Sequence, residues 1–158
     1  MKKIVPIIAV FCVLLAGCSV KTYTPELRDF SQNASVEAGD FSYTCEITMA
    51  ENVVTVTATS TNANGMCIVY NGKSANFKYL DMEYEIVSDK IDDTNPAKAV
   101  YAAFKAVQEG FPDNASKTAD GFRYDGKTAL GSFTLLQRDD YSYKSLQFRE
   151  ANIRIEFE

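Results

Sequence analysis

Phe41-Ser42-Tyr43-Thr44-Cys45-Glu46-Ile47-Thr48-Met49 alternates apolar and polar side chains over nine residues. Successive side chains of an extended chain point to opposite faces, so this period of two predicts a strand buried on one side. Ala50-Glu51-Asn52 predicts a turn. Val54, Val56 and Ala58 alternate with Thr55, Thr57 and Thr59, a second strand rich in β-branched residues. Thr61-Asn62-Ala63-Asn64-Gly65 predicts another turn, and Met66 to Tyr70 a third strand. Asn71-Gly72 is a strong hairpin signal because both residues tolerate positive φ, and it leads into a fourth strand, Ser74 to Tyr79. The apolar phase then flips from Phe77 and Tyr79 to Met82, Tyr84 and Ile86, which predicts a bulge or tight bend at Leu80-Asp81.

Working outward, the period changes once. Thr94-Asn95-Pro96 offers a cap with proline at the first helical position. Ala97 to Glu109 follows, with Val100, Phe104, Val107 and Phe111 on one stripe at helical spacing, and Gly110 stands where a left-handed cap would end the helix. Residues 112–121 read as a polar loop. Strand patterns return at Phe122 to Tyr124, at Ala129, Gly131, Phe133 and Leu135, at Leu146 and Phe148, and at Ile153, Ile155 and Phe157. Strands, one helix and strands again predict an α+β fold with an antiparallel sheet packed against one main helix, not a parallel α/β fold.

Composition limits the function. The chain has 158 residues, a formal net charge of -5, no His and no Trp. An acidic chain without a basic cluster argues against nucleic acid as a partner. The lack of His excludes Ser-His and Cys-His nucleophiles and zinc sites that use imidazole. No phosphate loop or G-x-S-x-G turn occurs, so the expectation is a protein that is not an enzyme, with no catalytic residue, metal or cofactor.

The N-terminus reads as a targeting segment. Lys2 and Lys3 precede an apolar run over 4–15, which is shorter than the roughly 20 residues needed to span a bilayer. Leu15-Ala16-Gly17-Cys18 resembles the bacterial lipobox. The resemblance implies cleavage after residue 17 and attachment of diacylglycerol to Cys18. The expected organisation is then a lipoprotein signal peptide over 1–17, a lipid-anchored tether over 18–34 and a single domain over 35–158. The membrane, cell or outer, would be a partner through the diacylglyceryl-Cys, with the body facing outside the cytoplasm. Two or three acyl chains hold stably where one holds marginally.

The order of parts also resembles the LolA/LppX-like superfamily of bacterial lipoproteins and lipoprotein carriers. The similar segments are Gly65 to Gly72, Phe77 to Ile86, the helix begun by Pro96, the strand at Gly131 to Leu136, and Ile153-Arg154-Ile155-Glu156-Phe157. That resemblance implies a strongly curved antiparallel half-barrel closed on its concave side by helix. It implies no catalytic signature.

Other candidates have plain readings. Cys45 falls on the apolar face of its strand and Cys67 on the opposite face, with a strand between, so both are expected as free thiols. Asp89, Asp92, Asp93 and Asn95 supply oxygen ligands but lack EF-hand spacing, and they suit the approach to a helix N-terminus. The chain carries nine Tyr and ten Phe, enough to line a cavity as well as a core. The candidate lining is Tyr43, Ile47, Val56, Val100, Phe104, Val107, Phe133 and Ile155, between sheet and helix. A continuous apolar pocket above about 300 Å³ there would favour a lipid or other apolar ligand. A solid core would favour an envelope interaction module.

Overall fold

The computed structural model describes residues 24–60 and 63–158. The signal segment and Cys18 lie outside the described residues. Eleven strands form one antiparallel sheet: β1 (Phe30–Ala38), β2 (Phe41–Ala50), β3 (Val53–Ala58), β4 (Cys67–Tyr70), β5 (Ser74–Tyr79), β6 (Met82–Val87), β7 (Ala115–Thr118), β8 (Gly121–Thr128), β9 (Gly131–Arg138), β10 (Tyr143–Phe148) and β11 (Ile153–Phe157). The helix α1 (Pro96–Gly110) separates β6 from β7. The strand order is β6-β5-β4-β3-β2-β1-β11-β10-β9-β8-β7, so the sheet is open with two edges.

The sheet is curved, and its helix shows why. α1 touches β3 and β4 in one half of the sheet and β8 and β11 in the other. In a flat sheet β4 and β8 would lie about 34 Å apart at the usual strand spacing. A 15-residue helix is only about 22 Å long. The two halves must therefore curl around it. The concave face carries the core: Cys45, Ile47 and Met49 on β2, Val54 and Val56 on β3, Leu135 on β9, and Ile153, Ile155 and Phe157 on β11 are all buried. Val100, Phe104 and Val107 of α1 fill the hollow. The polar alternates, such as Thr44, Thr48, Thr55 and Thr57, stand on the convex side.

Several expectations change. The domain begins earlier than 35: β1 starts at Phe30, inside the stretch assigned to the tether, and it is the central strand, paired with both β2 and β11. The β4–β5 register is Ile68 opposite Phe77 and Tyr70 opposite Ala75, two residues from a turn centred on Asn71-Gly72. Asn71 instead opens the turn. Its side-chain oxygen accepts the N–H groups of Lys73 and Ser74, and Gly72 holds φ at 86°. A two-residue shift preserves which face each side chain takes, so Cys45 is buried and Cys67 stands on the other face of the sheet, both as free thiols. Leu80-Asp81 is the tight bend, a hairpin turn with Tyr79 opposite Met82. Part of the expected 112–121 loop is the short edge strand β7. The strand expected at Phe122 to Tyr124 runs on to Thr128, and Ala129, expected in the next strand, forms the β8–β9 turn with Leu130.

The helix starts as expected: the Asn95 side chain accepts from the N–H groups of Ala97 and Lys98, and Pro96 follows. It does not end in a left-handed glycine. Gly110 has helical backbone, and Phe111 is extended, with Pro112 next in sequence to stop the helix. Asn114 caps the end, its backbone N–H reaching the Gly110 carbonyl and its side-chain amide the Val107 carbonyl. A Cβ at Gly110 would sit 2.9 Å from that amide, which explains the glycine. Phe111 leaves the apolar stripe and is partly exposed.

Candidate functional site

Seven of the eight expected lining residues come together, but as packed core. Ile47, Val56, Val100, Phe104, Val107, Phe133 and Ile155 belong to one buried cluster, none more than 3% exposed. Tyr43, on β2, is half-buried at its margin, and burial together with the neighbouring Cys45 raises the pKa of its phenol. Burial also pushes the Cys45 thiol up to about 12, so it stays protonated and is no nucleophile near neutral pH. Aromatic rings occupy the place where a ligand was expected. Phe30 from β1 stacks on Phe104 at 5.4 Å, and Tyr143 meets Phe104 edge-on at 4.8 Å.

The space against the helix lies on its flank instead. A groove of about 370 Å³ runs between α1 and the β8–β9 turn. Tyr70 from β4, Tyr101, Ala102 and Ala106 from α1, and Leu130 from the turn give it apolar walls. Lys98, Lys105 and Lys127 stand on its rim with Glu109. Lys98 is engaged with Asp93 at 2.7 Å and with the Ile91 carbonyl at 2.9 Å, which leaves Lys105 and Lys127 as the rim cations most open to a ligand. Helical spacing decides the arrangement: residues 98, 101, 102, 105, 106 and 109 are one face of α1, beside the stripe that fills the core. The sequence signal was a second, amphipathic stripe next to the core stripe, hidden because its apolar members are alanines and one tyrosine. A larger open crevice of about 510 Å³, at the β1–β2 and β10–β11 turns, is lined mainly by polar groups such as Glu37, Asp40, Arg149 and Arg154. Phe41, Phe148 and Ile153 are its apolar members, a minority of the lining.

A second apolar surface is the concave side of the β5–β6 hairpin. Leu80 is 84% exposed, Met82 63% and Tyr84 56%. Tyr84 stacks on Phe77 at 5.1 Å, which holds its ring in place. Two of the carboxylates before the helix have local partners, Asp93 with Lys98 and Asp92 with Thr94. Asp92 accepts from the Thr94 N–H and hydroxyl, and these bonds lower its pKa. Among the described residues no cluster of metal-ligating side chains forms.

The start of the domain is stitched down. The Tyr124 hydroxyl donates to the Gln137 side chain at 2.8 Å, and the Gln137 amide donates to the carbonyls of Glu26 and Tyr141. The Tyr143 hydroxyl accepts the Arg28 N–H and donates to the Arg28 carbonyl, while the Arg28 guanidinium lies 3.9 Å above the Tyr141 ring. Gln137, the only buried polar side chain among the described residues of the core, thereby has both its amide and its carbonyl oxygen engaged.

No protein-family model matches this chain, and no curated protein matches it. Among solved structures, the chain is similar in fold alone to a LolA superfamily protein from Nitrosomonas europaea. The alignment covers 80% of this chain and 66% of that one, at 13% identity and a TM-score of 0.38.

Proposed function

We propose that this chain is a non-catalytic binding protein, anchored outside the cytoplasm through diacylglyceryl-Cys18, and that it holds an apolar chain with an anionic head in the groove beside α1. The observation that carries the reading is the groove itself: apolar walls from helix and sheet, about 370 Å³, with lysines on the rim. Ligand pockets of a few hundred Å³ combine apolar walls with a few placed polar groups. Here the walls would cover the apolar chain while Lys105 and Lys127 face the head. Native mass spectrometry of the full chain extracted from its membrane is expected to show a bound amphiphile. Ala106→Trp, which places an indole in the groove, is expected to abolish that adduct and to leave the melting temperature within a few degrees. A bare wild-type chain, or an adduct kept by the variant, would sink the reading.

The anchor has its own test. Cys18→Ser is expected to move the protein from the detergent phase to the aqueous phase on partitioning, or to leave it unprocessed. Identical partitioning and processing would remove the lipoprotein assignment. A second reading, an interaction module of the envelope, is favoured by the filled core and by the exposed β5–β6 hairpin.

A further inference from the structure

The two edges of the sheet are not alike. β7 is four residues long and carries Lys117, both of which discourage pairing with another chain. β6 is six residues long, with no proline, lysine or bulge, and its sequence Met-Glu-Tyr-Glu-Ile-Val alternates apolar and acidic side chains through Ile86. The hydrogen-bond phase shows which of its backbone groups are unpaired by the sheet. The Asn71 N–H donates to the Ser74 carbonyl and the Ser88 N–H to the Lys73 carbonyl. The even residues of β5 therefore bond to β4, and Ala75, Phe77 and Tyr79 bond to Ile86, Tyr84 and Met82. Glu83, Glu85 and Val87 direct their N–H and C=O groups away from the sheet.

We propose that β6 accepts an extended segment of a partner protein as an additional strand, one that alternates basic and apolar residues. The backbone row of Glu83, Glu85 and Val87 supplies the ladder. On the concave side the segment's apolar residues would extend the surface made by Leu80, Met82 and Tyr84. On the convex side its basic residues would face Glu83 and Glu85. Charge also decides against a second copy of this chain: β6 paired with itself would oppose glutamates to glutamates, which is destabilising. Glu83 already has Lys78 at 3.1 Å and the Asn76 amide at 2.7 Å, so Glu85 carries most of the selectivity. This site is separate from the helix-flank groove and does not depend on a ligand there.

The test uses the full chain in a mild detergent and a seven-residue capped peptide alternating lysine and valine. It is expected to bind at least tenfold tighter than the same residues in block order, and than a glutamate–valine peptide. Binding should slow hydrogen exchange at the amides of Glu83, Glu85 and Val87. Glu85→Pro removes an outward N–H without touching the ladder to β5, and should weaken binding at least tenfold. Glu83→Lys with Glu85→Lys leaves the backbone intact and should transfer the preference to the glutamate–valine peptide. Equal binding of the three peptides, or binding without protection of those amides, would overturn the proposal. So would phosphatidylglycerol vesicles that bury Leu80, Met82 and Tyr84 and exclude the peptide, since the surface would then belong to a membrane.

Discussion

Phe104→Ala is expected to destabilise the domain by about 3–5 kcal/mol, the range for removing a large ring from a packed core. Phe104 is 2% exposed and sits between Phe30, Tyr143 and the concave face of the sheet. The two rings come from β1 and β10, elements far apart in sequence from each other and from α1, so they cannot both collapse into the space left. Total stabilities are about 5–15 kcal/mol, so the loss takes much of what the domain has. Chemical denaturation of the variant measures it. The amphiphile proposed for the groove beside α1 should still bind under native conditions, because Phe104 does not line that groove. A loss below about 1 kcal/mol would mean that the ring faces space rather than its neighbours.

Gly121→Ala is the second large effect. Gly121 opens β8 with φ at 152°, and a Cβ there would stand 1.9 Å from the Gln137 carbonyl oxygen. Strain at an unusual backbone angle and overpacking each cost about 1–3 kcal/mol, so the change should cost about 2–6 kcal/mol in all. The obstacle is backbone, which cannot rotate aside as a side chain can. Relief would require β9 to move at Gln137, and Gln137 holds Glu26 and Tyr141. Exchange of the Arg28 amide should therefore accelerate along with the fall in melting temperature. An unchanged melt would show that β8 and β9 separate freely at this end.

Local patterns carried the hairpins and the helix. The nine alternating residues from Phe41, the phase flip at Leu80-Asp81 and the Asn95-Pro96 cap each encode their element within a few residues, so they were legible. The strand β1 was not. Ser31-Gln32-Asn33 is polar on both faces, and Gln32 is spent on the backbone of Tyr143, 111 residues away, which no local window contains. The turn at Asn71 slipped because a side-chain oxygen took two backbone N–H groups and moved the turn centre by one residue. The candidate site was displaced for a related reason. Periodicity identifies which helical face is apolar, but not whether Phe30 or Tyr143 will arrive to fill the hollow beneath it. The groove used the neighbouring face, whose alanines carry little hydrophobic signal.

The stitched segment at Glu26 and Arg28 also sets a mechanical limit. Glu26 is the eighth residue after Cys18, eight Cα-to-Cα steps along the chain. Fully extended, they reach at most about 28 Å, close to the thickness of one hydrocarbon core, about 30 Å. If acyl groups hold the chain at Cys18, as proposed, the body would be on a short leash. It would sweep a shallow dome over its own membrane and could not ferry cargo to another. Whatever it bound would have to be delivered within that radius.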